Sequence, residues 1–206
     1  MKKHLVAIAA LAAMFAASAS AQTLPKTHLK VVGGLSNLTA YNDYEKPFWT
    51  NVVPTLSNGQ VTADIKGFNE MGLKGPEILR LMSQGVIEFG TATLSYFASD
   101  NPINEAIDLA GLTSDAKGAR AVVEAFEPIY VKHYGPGSGI KVLGISPYPA
   151  QVLFCNAEIK GLSDIKGKKV RTSSRTQADF VEALGGSSVT MAFGEVVPAL
   201  QNKVVD

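Results

Sequence analysis

Arg171 closes the expected short strand Lys169-Val170-Arg171, and Ser174 followed by Gln177 has the spacing of a helix capping box. The arginine is therefore expected at the C-terminal end of a strand, just ahead of a helix N-terminus. In open parallel α/β sheets, ligands bind outside that end of the strands. A helix N-terminus adds free backbone N–H groups and positive potential. A guanidinium adds a planar fork that matches a carboxylate. Together these features describe an anion site, although an ordinary surface salt bridge would use the same residues. Arg175 opens the following helix, where a cation opposes the dipole. It either reaches a second acidic group on a ligand or is solvated. Two further candidates stand in loops after predicted strands: Asn37, within Ser36–Tyr41, and Thr93, within Thr93–Phe97. Polar loop residues at strand ends are placed to meet a ligand.

Catalytic patterns are scarce. The sequence has no phosphate-binding loop, no G-x-S-x-G and no dinucleotide G-x-G-x-x-G. Beyond His4 its histidines are His28 and His133, and neither has metal-ligand spacing to another His or Cys. We expect no enzyme activity, no metal and no cofactor. The lone Cys155 cannot form an intramolecular disulfide and is expected to pack as a small buried hydrophobe. A formal net charge of +1 offers no electrostatic footprint for nucleic acid.

Lys2 and Lys3, the apolar run Leu5–Ala17 and the small residues Ala19-Ser20-Ala21 have the layout of a secretory signal. The run falls short of the roughly 20 residues needed to span a bilayer. Export and cleavage after Ala21 are therefore expected, giving a periplasmic chain that begins at Gln22.

The elements that must position these residues alternate between strand and helix. Strands are expected over Leu29–Gly33, Val61–Phe68, Phe89–Leu94, Ile140–Ile145, Val152–Cys155, Lys169–Thr172 and Val189–Met191. Helices are expected over Asp43–Leu56, after Pro76, around Val122–Ile129 with Pro128 as a kink or end, over Arg175–Leu184 and from Glu195 to about Asn202. Repeated strand-helix-strand order implies an α/β fold with parallel sheets. A composition break at Ser146-Pro147-Tyr148-Pro149 suggests a crossover between two lobes, so the chain divides into 1–21 signal, 22–145 first lobe and 146–206 partial second lobe.

The segments KGLSDIKGKKVRTSS and FVEALGGSSVTMAFGEVVPALQNKVVD resemble the most recognisable stretch of TRAP-type, DctP-like solute-binding proteins of family 7, and LRLMSQGVIEFGTATLSYFA resembles an earlier stretch of them. The resemblance implies a two-lobed periplasmic binding protein that captures a small organic acid and delivers it to the membrane permease of an ion-driven transporter. It implies that Arg171 is the carboxylate clamp and Phe193 the pocket aromatic; read from the residues alone, Phe193 is as well explained as core. Some acid-binding members carry a second arginine about 20 residues before the clamp, where this chain has Gln151, a neutral amide suited to a hydroxyl or a single carboxylate oxygen. Val197-Pro198 also departs from the family pattern. Family members continue well past the position of Asp206, so a truncated second lobe is expected. The alternatives are a receptor for an ATP-driven importer, which the Arg171 segment disfavours, and a secreted hydrolase using His133, which turnover would reveal.

Overall fold

The computed structural model describes residues 24–206, so the signal reading of residues 1–21 lies outside the described residues. Two parallel sheets organise it. In the first, β1 (Thr27–Gly33) lies between β2 (Val61–Gly67) and β3 (Phe89–Gly90). β1 and β2 run in register from Thr27 opposite Val61 to Gly33 opposite Gly67. Their N-terminal halves alternate between half-buried and exposed, whereas Val31, Val32 and Gly33 are all buried. Burial thus deepens toward the C-terminal ends, where ligands meet such sheets. The core there joins Val32, Phe68, Ile78 and Ile87, with Leu35, Leu81, Met82 and Tyr96 packed against it. Ile78 is fully buried, a contribution of roughly 1.5–3 kcal/mol.

The second sheet pairs β4 (Lys169–Thr172) with β5 (Ser187–Thr190), and the Thr172 and Thr190 hydroxyls meet at 2.8 Å. Ile165, Ala178 and Val181 pack beneath it. Gly186 admits this packing, because a Cβ there would lie 2.9 Å from both Ile165 and Val181. Around the sheets run π-type turns over Ala40–Glu45 and Phe48–Val52 that lead into α1 (Val53–Leu56), then α2 (Glu77–Ser83), α3 (Ala116–His133), α4 (Arg175–Ala183) and α5 (Val196–Gln201). No described helix is long and apolar enough to cross a membrane. The expected α/β architecture with parallel sheets is observed.

Several expectations are corrected. α3 runs through Pro128 without ending there. It is anchored at its start by the Asp115 carboxylate, which accepts the Gly118 N–H at 2.7 Å. β3 stops at Gly90; residues 91–93 are irregular and a short 3-10 turn begins at Leu94 and runs to Phe97. Residues 140–155 form no strand at all. Their apolar side chains lack a covering layer: Val152 is 70% exposed and Phe154 is 86% exposed. A strand requires a neighbour to take its N–H and C=O groups, and no described segment pairs with this one. Cys155, expected in the core, is consequently only half-buried.

Candidate functional site

Arg171 stands in β4, one residue before its C-terminal end, and is half-buried. Its Nε and Nη2 donate to the Met191 carbonyl at 3.2 and 2.9 Å. That carbonyl lies just past β5, so the sheet itself fixes one edge of the fork. A guanidinium has five N–H donors and no acceptor, which leaves most of the other edge unspent. No carboxylate of the described residues pairs with it. Burial lowers its pKa and the nearby Tyr96 phenol opposes that shift, but arginine stays charged in proteins.

The neighbouring helix terminus is filled by the protein itself. Ser174 Oγ accepts the Gln177 N–H at 3.3 Å, and Gln177 Oε1 reaches back to the Ser173 N–H at 2.9 Å. This is a capping box displaced by one residue. The buried Glu105 carboxylate accepts the remaining N–H groups, from Arg175 at 2.7 Å and Thr176 at 3.3 Å. The free anion-binding terminus expected from sequence is therefore already occupied, and Arg171 is the grip that remains. The residues just before Glu105 are held by a buried network. Tyr130 donates to the Ile103 carbonyl and Tyr134 to Asn104 Oδ1, both at 2.7 Å, and Asn104 donates to the Phe97 carbonyl at 3.0 Å. α3 thus positions the start of α4 through residues 101–105.

The first sheet contributes hydroxyls. Tyr96 packs edge-on against Phe68, with ring centroids 6.3 Å apart, and its ring lies over Gly75. Burial raises its phenol pKa, whereas Arg171 and the Thr93 side chain pull it down. Burial likewise raises the Tyr148 phenol, with Glu45 and Tyr96 adding to the rise and Thr93 opposing it. Glu45 Oε2 accepts the Gly34 N–H at 2.8 Å, and a Cβ on Gly34 would lie 3.3 Å from that oxygen and 3.7 Å from the Tyr148 hydroxyl. Glu45, Gly34, Leu38, Phe48 and Tyr148 line a cavity of about 780 Å³ at the C-terminal end of β1. Glu45 and Tyr148 thus meet around Gly34 at the end of β1, while the Tyr96 phenol feels the charge of Arg171.

Of the residues named from sequence, Arg171 keeps a free edge beside β5, and Thr93 immediately precedes the turn that carries Tyr96. Phe193 opens the short turn before α5 and remains 42% exposed. Asn37 is exposed in the loop after β1, a loop pinned by hydrogen bonds between Ser36 and Asn69. Gln151 is exposed in the irregular segment. Arg175 is exposed and pairs with Asp179 at 2.9 Å, one turn along its own helix. Sequence reasoning missed Glu45, Glu105 and Lys74, whose Nζ lies 2.7 Å from Glu195 Oε1. It marked Tyr148 only as part of a proline-flanked break, yet an aromatic fixed between two prolines was a usable signal.

A family model described as bacterial extracellular solute-binding protein, family 7, matches residues 37–206. The solute receptor DctP6 of Bordetella pertussis, solved with pyroglutamic acid, is similar at 26% identity and a TM-score of 0.79, over 87% of this chain and 59% of its own. DctP7 of the same organism, also a pyroglutamic acid receptor, is similar at 22% identity, with the same TM-score and coverage. A TRAP periplasmic solute-binding protein of Haemophilus influenzae, solved with L-gulonate, is similar at 21% identity and a TM-score of 0.77, over 88% of this chain and 59% of its own. The chain thus spans about 59% of the length of these structures. No curated protein matches it.

Proposed function

The chain belongs to family 7 of the bacterial extracellular solute-binding proteins, and from that premise we propose that it captures a small organic acid in the periplasm for a TRAP-type permease. The observation that carries this reading is Arg171: a half-buried guanidinium with one edge held by the Met191 carbonyl and no carboxylate partner among the described residues. Burying a charge without a counterion is costly, and a ligand carboxylate meets the free edge as a bidentate pair. The family is one of receptors, so the site binds and releases its acid unchanged. Export by residues 1–21, with cleavage after Ala21, and hand-over to membrane permease subunits are parts of the same proposal. Gln151 and Phe193 are retained as ligand contacts on the resemblance described above, Asn37 and Thr93 on their places at strand ends. Arg175, committed to Asp179, is retained only as a peripheral contact.

The test is calorimetry with pyroglutamate, L-gulonate, galactonate and orotate, which related receptors bind. At least one acid should bind, and Arg171→Ala should weaken it by about 30-fold or more, as expected when a buried charge pair loses one partner. Unchanged affinity in that variant would remove Arg171 as the clamp.

A further inference from the structure

We propose that Glu105 is a positioning residue for the acid-binding site: without touching the ligand, its buried carboxylate holds the segment that carries Arg171 and so sets how slowly a bound acid is released. The inference rests on the reading of Arg171 as the carboxylate clamp, and it adds a distant residue on which that clamp depends.

Glu105 is 6% exposed, and one of its oxygens accepts two backbone N–H groups, from Arg175 at 2.7 Å and Thr176 at 3.3 Å. Both donors belong to the first turn of α4, which begins four residues after Arg171. The residues between are tied down in turn. The Thr172 hydroxyl meets that of Thr190 at 2.8 Å, and the Ser173 N–H and hydroxyl both donate to Gln177 Oε1 at 2.9 Å. Ser174 Oγ accepts the Gln177 N–H at 3.3 Å, and Thr172 and Ser174 are both buried. A shift in the first turn of α4 is therefore passed on to β4 and Arg171.

Glu105 is mounted on the opposite side of the chain's Ser146–Pro149 break. It ends the short turn Pro102–Glu105. Its neighbour Asn104 is fully buried and donates to the Phe97 carbonyl at 3.0 Å, which fastens this turn to the one that carries Tyr96. Tyr130 and Tyr134, at the end of α3, fasten it from behind through Ile103 and Asn104. Lys74 and Glu195 make a crossing of the same break, but both are exposed, and exposed pairs are weak. Hydrogen bonds to a charged group are the stronger kind, so the buried Glu105 is the dominant tie of the two. Without it, the start of α4 gains freedom that a bound acid has to remove again. That ordering cost is taken from the binding free energy, and among variants of one site it shows in dissociation more than in association.

The experiment is stopped-flow binding and release of pyroglutamate, L-gulonate, galactonate and orotate on the purified protein, well below every variant's melting temperature. For each acid that binds the wild type, Glu105→Ala should weaken affinity about tenfold, the worth of a hydrogen bond to a charged group, with most of the change in the release rate. Glu105→Gln keeps an oxygen for both N–H groups and loses only the charge, so it should restore affinity to within about threefold of the wild type, still with faster release. Asp115→Ala is the control for stability alone: it removes a comparable carboxylate cap, on the Gly118 N–H at the start of α3, and should leave affinity within about twofold. Wild-type release rates in both Glu105 variants, or an equal loss of affinity in Asp115→Ala, would refute the positioning role while the clamp stands. Should Glu105→Ala fail to fold, the Glu105→Gln release rate decides alone. If no acid binds, or Arg171→Ala leaves binding intact, the clamp itself fails and the positioning role falls with it.

Discussion

The Glu105 carboxylate accepts the backbone N–H of Arg175 at 2.7 Å, joining residues 70 positions apart at the start of α4. The contact combines a charge-assisted hydrogen bond with the positive end of a helix dipole, in a buried setting. Replacing the carboxylate with an amide should cost about 1 kcal/mol, the scale of a lost helix cap. Glu105→Gln should therefore lower the melting temperature by a few degrees, and Glu105→Ala by more. Thermal melts that coincide with the wild type would show that the contact is energetically idle.

Gly75 holds φ at +115°, and a Cβ there would approach the Tyr96 ring to 2.2 Å. Gly75→Ala meets both backbone strain and a packed aromatic, at a cost of about 1–3 kcal/mol. Gly59→Ala is the control: its φ is +75°, but nothing lies near its Cβ position. Melting curves should place Gly75→Ala clearly below Gly59→Ala. Equal losses would mean that the Tyr96 contact adds nothing to the strain.

Lys74 follows β2, and its partner Glu195 lies in the turn before α5, so this exposed pair joins the two sheet-based halves. Exposed pairs are weak and screened by salt. In stopped-flow release of a bound acid, Lys74→Ala should speed dissociation about two- to fivefold at low ionic strength. The difference should disappear near 1 M salt, where the Debye length shrinks to about 3 Å. A salt-independent effect would point to packing instead of charge.

Burial moves the Tyr130 phenol from its ordinary value of 10.0 up to about 12. The sign follows directly. A group whose folded pKa is raised contributes stability that is present below its unfolded pKa and lost as pH rises through the folded value. Alkaline denaturation should thus show stability falling between pH 10.0 and about 12. Tyr130→Phe should flatten that slope, while losing the 2.7 Å hydrogen bond to Ile103 at every pH. An unchanged slope in the variant would assign the alkaline loss to other groups.

The parts of the fold legible in the sequence were those written in local chemistry. Gly85, with φ of +68°, ends α2 where expected, and Ser174 starts α4 where expected. Arg171 was legible for the same reason, since a strand end and a helix start flank it within a few residues. The strands expected over Ile140–Ile145 and Val152–Cys155 failed because apolar alternation records a preference, whereas a strand needs a neighbour. Glu105 was illegible because nothing near it in sequence hints at Arg175, and the carboxylate acquires meaning only once α3 has fixed residues 101–105. Glu45 carries no local signal either: it reads as one polar residue on a helical face until the turn after β1 brings Gly34 against it.

Tyr148 is held between Pro147 and Pro149, on the stretch of backbone that links α3 to β4. Proline fixes φ near −65°, so the backbone on either side of the tyrosine has little freedom, and its ring moves by side-chain rotation. The phenol nevertheless forms part of the wall of the cavity beside Gly34. Tyr148 thus puts the backbone that links α3 to β4 on the wall of the cavity, so a displacement of residues 147–149 changes the shape of that wall.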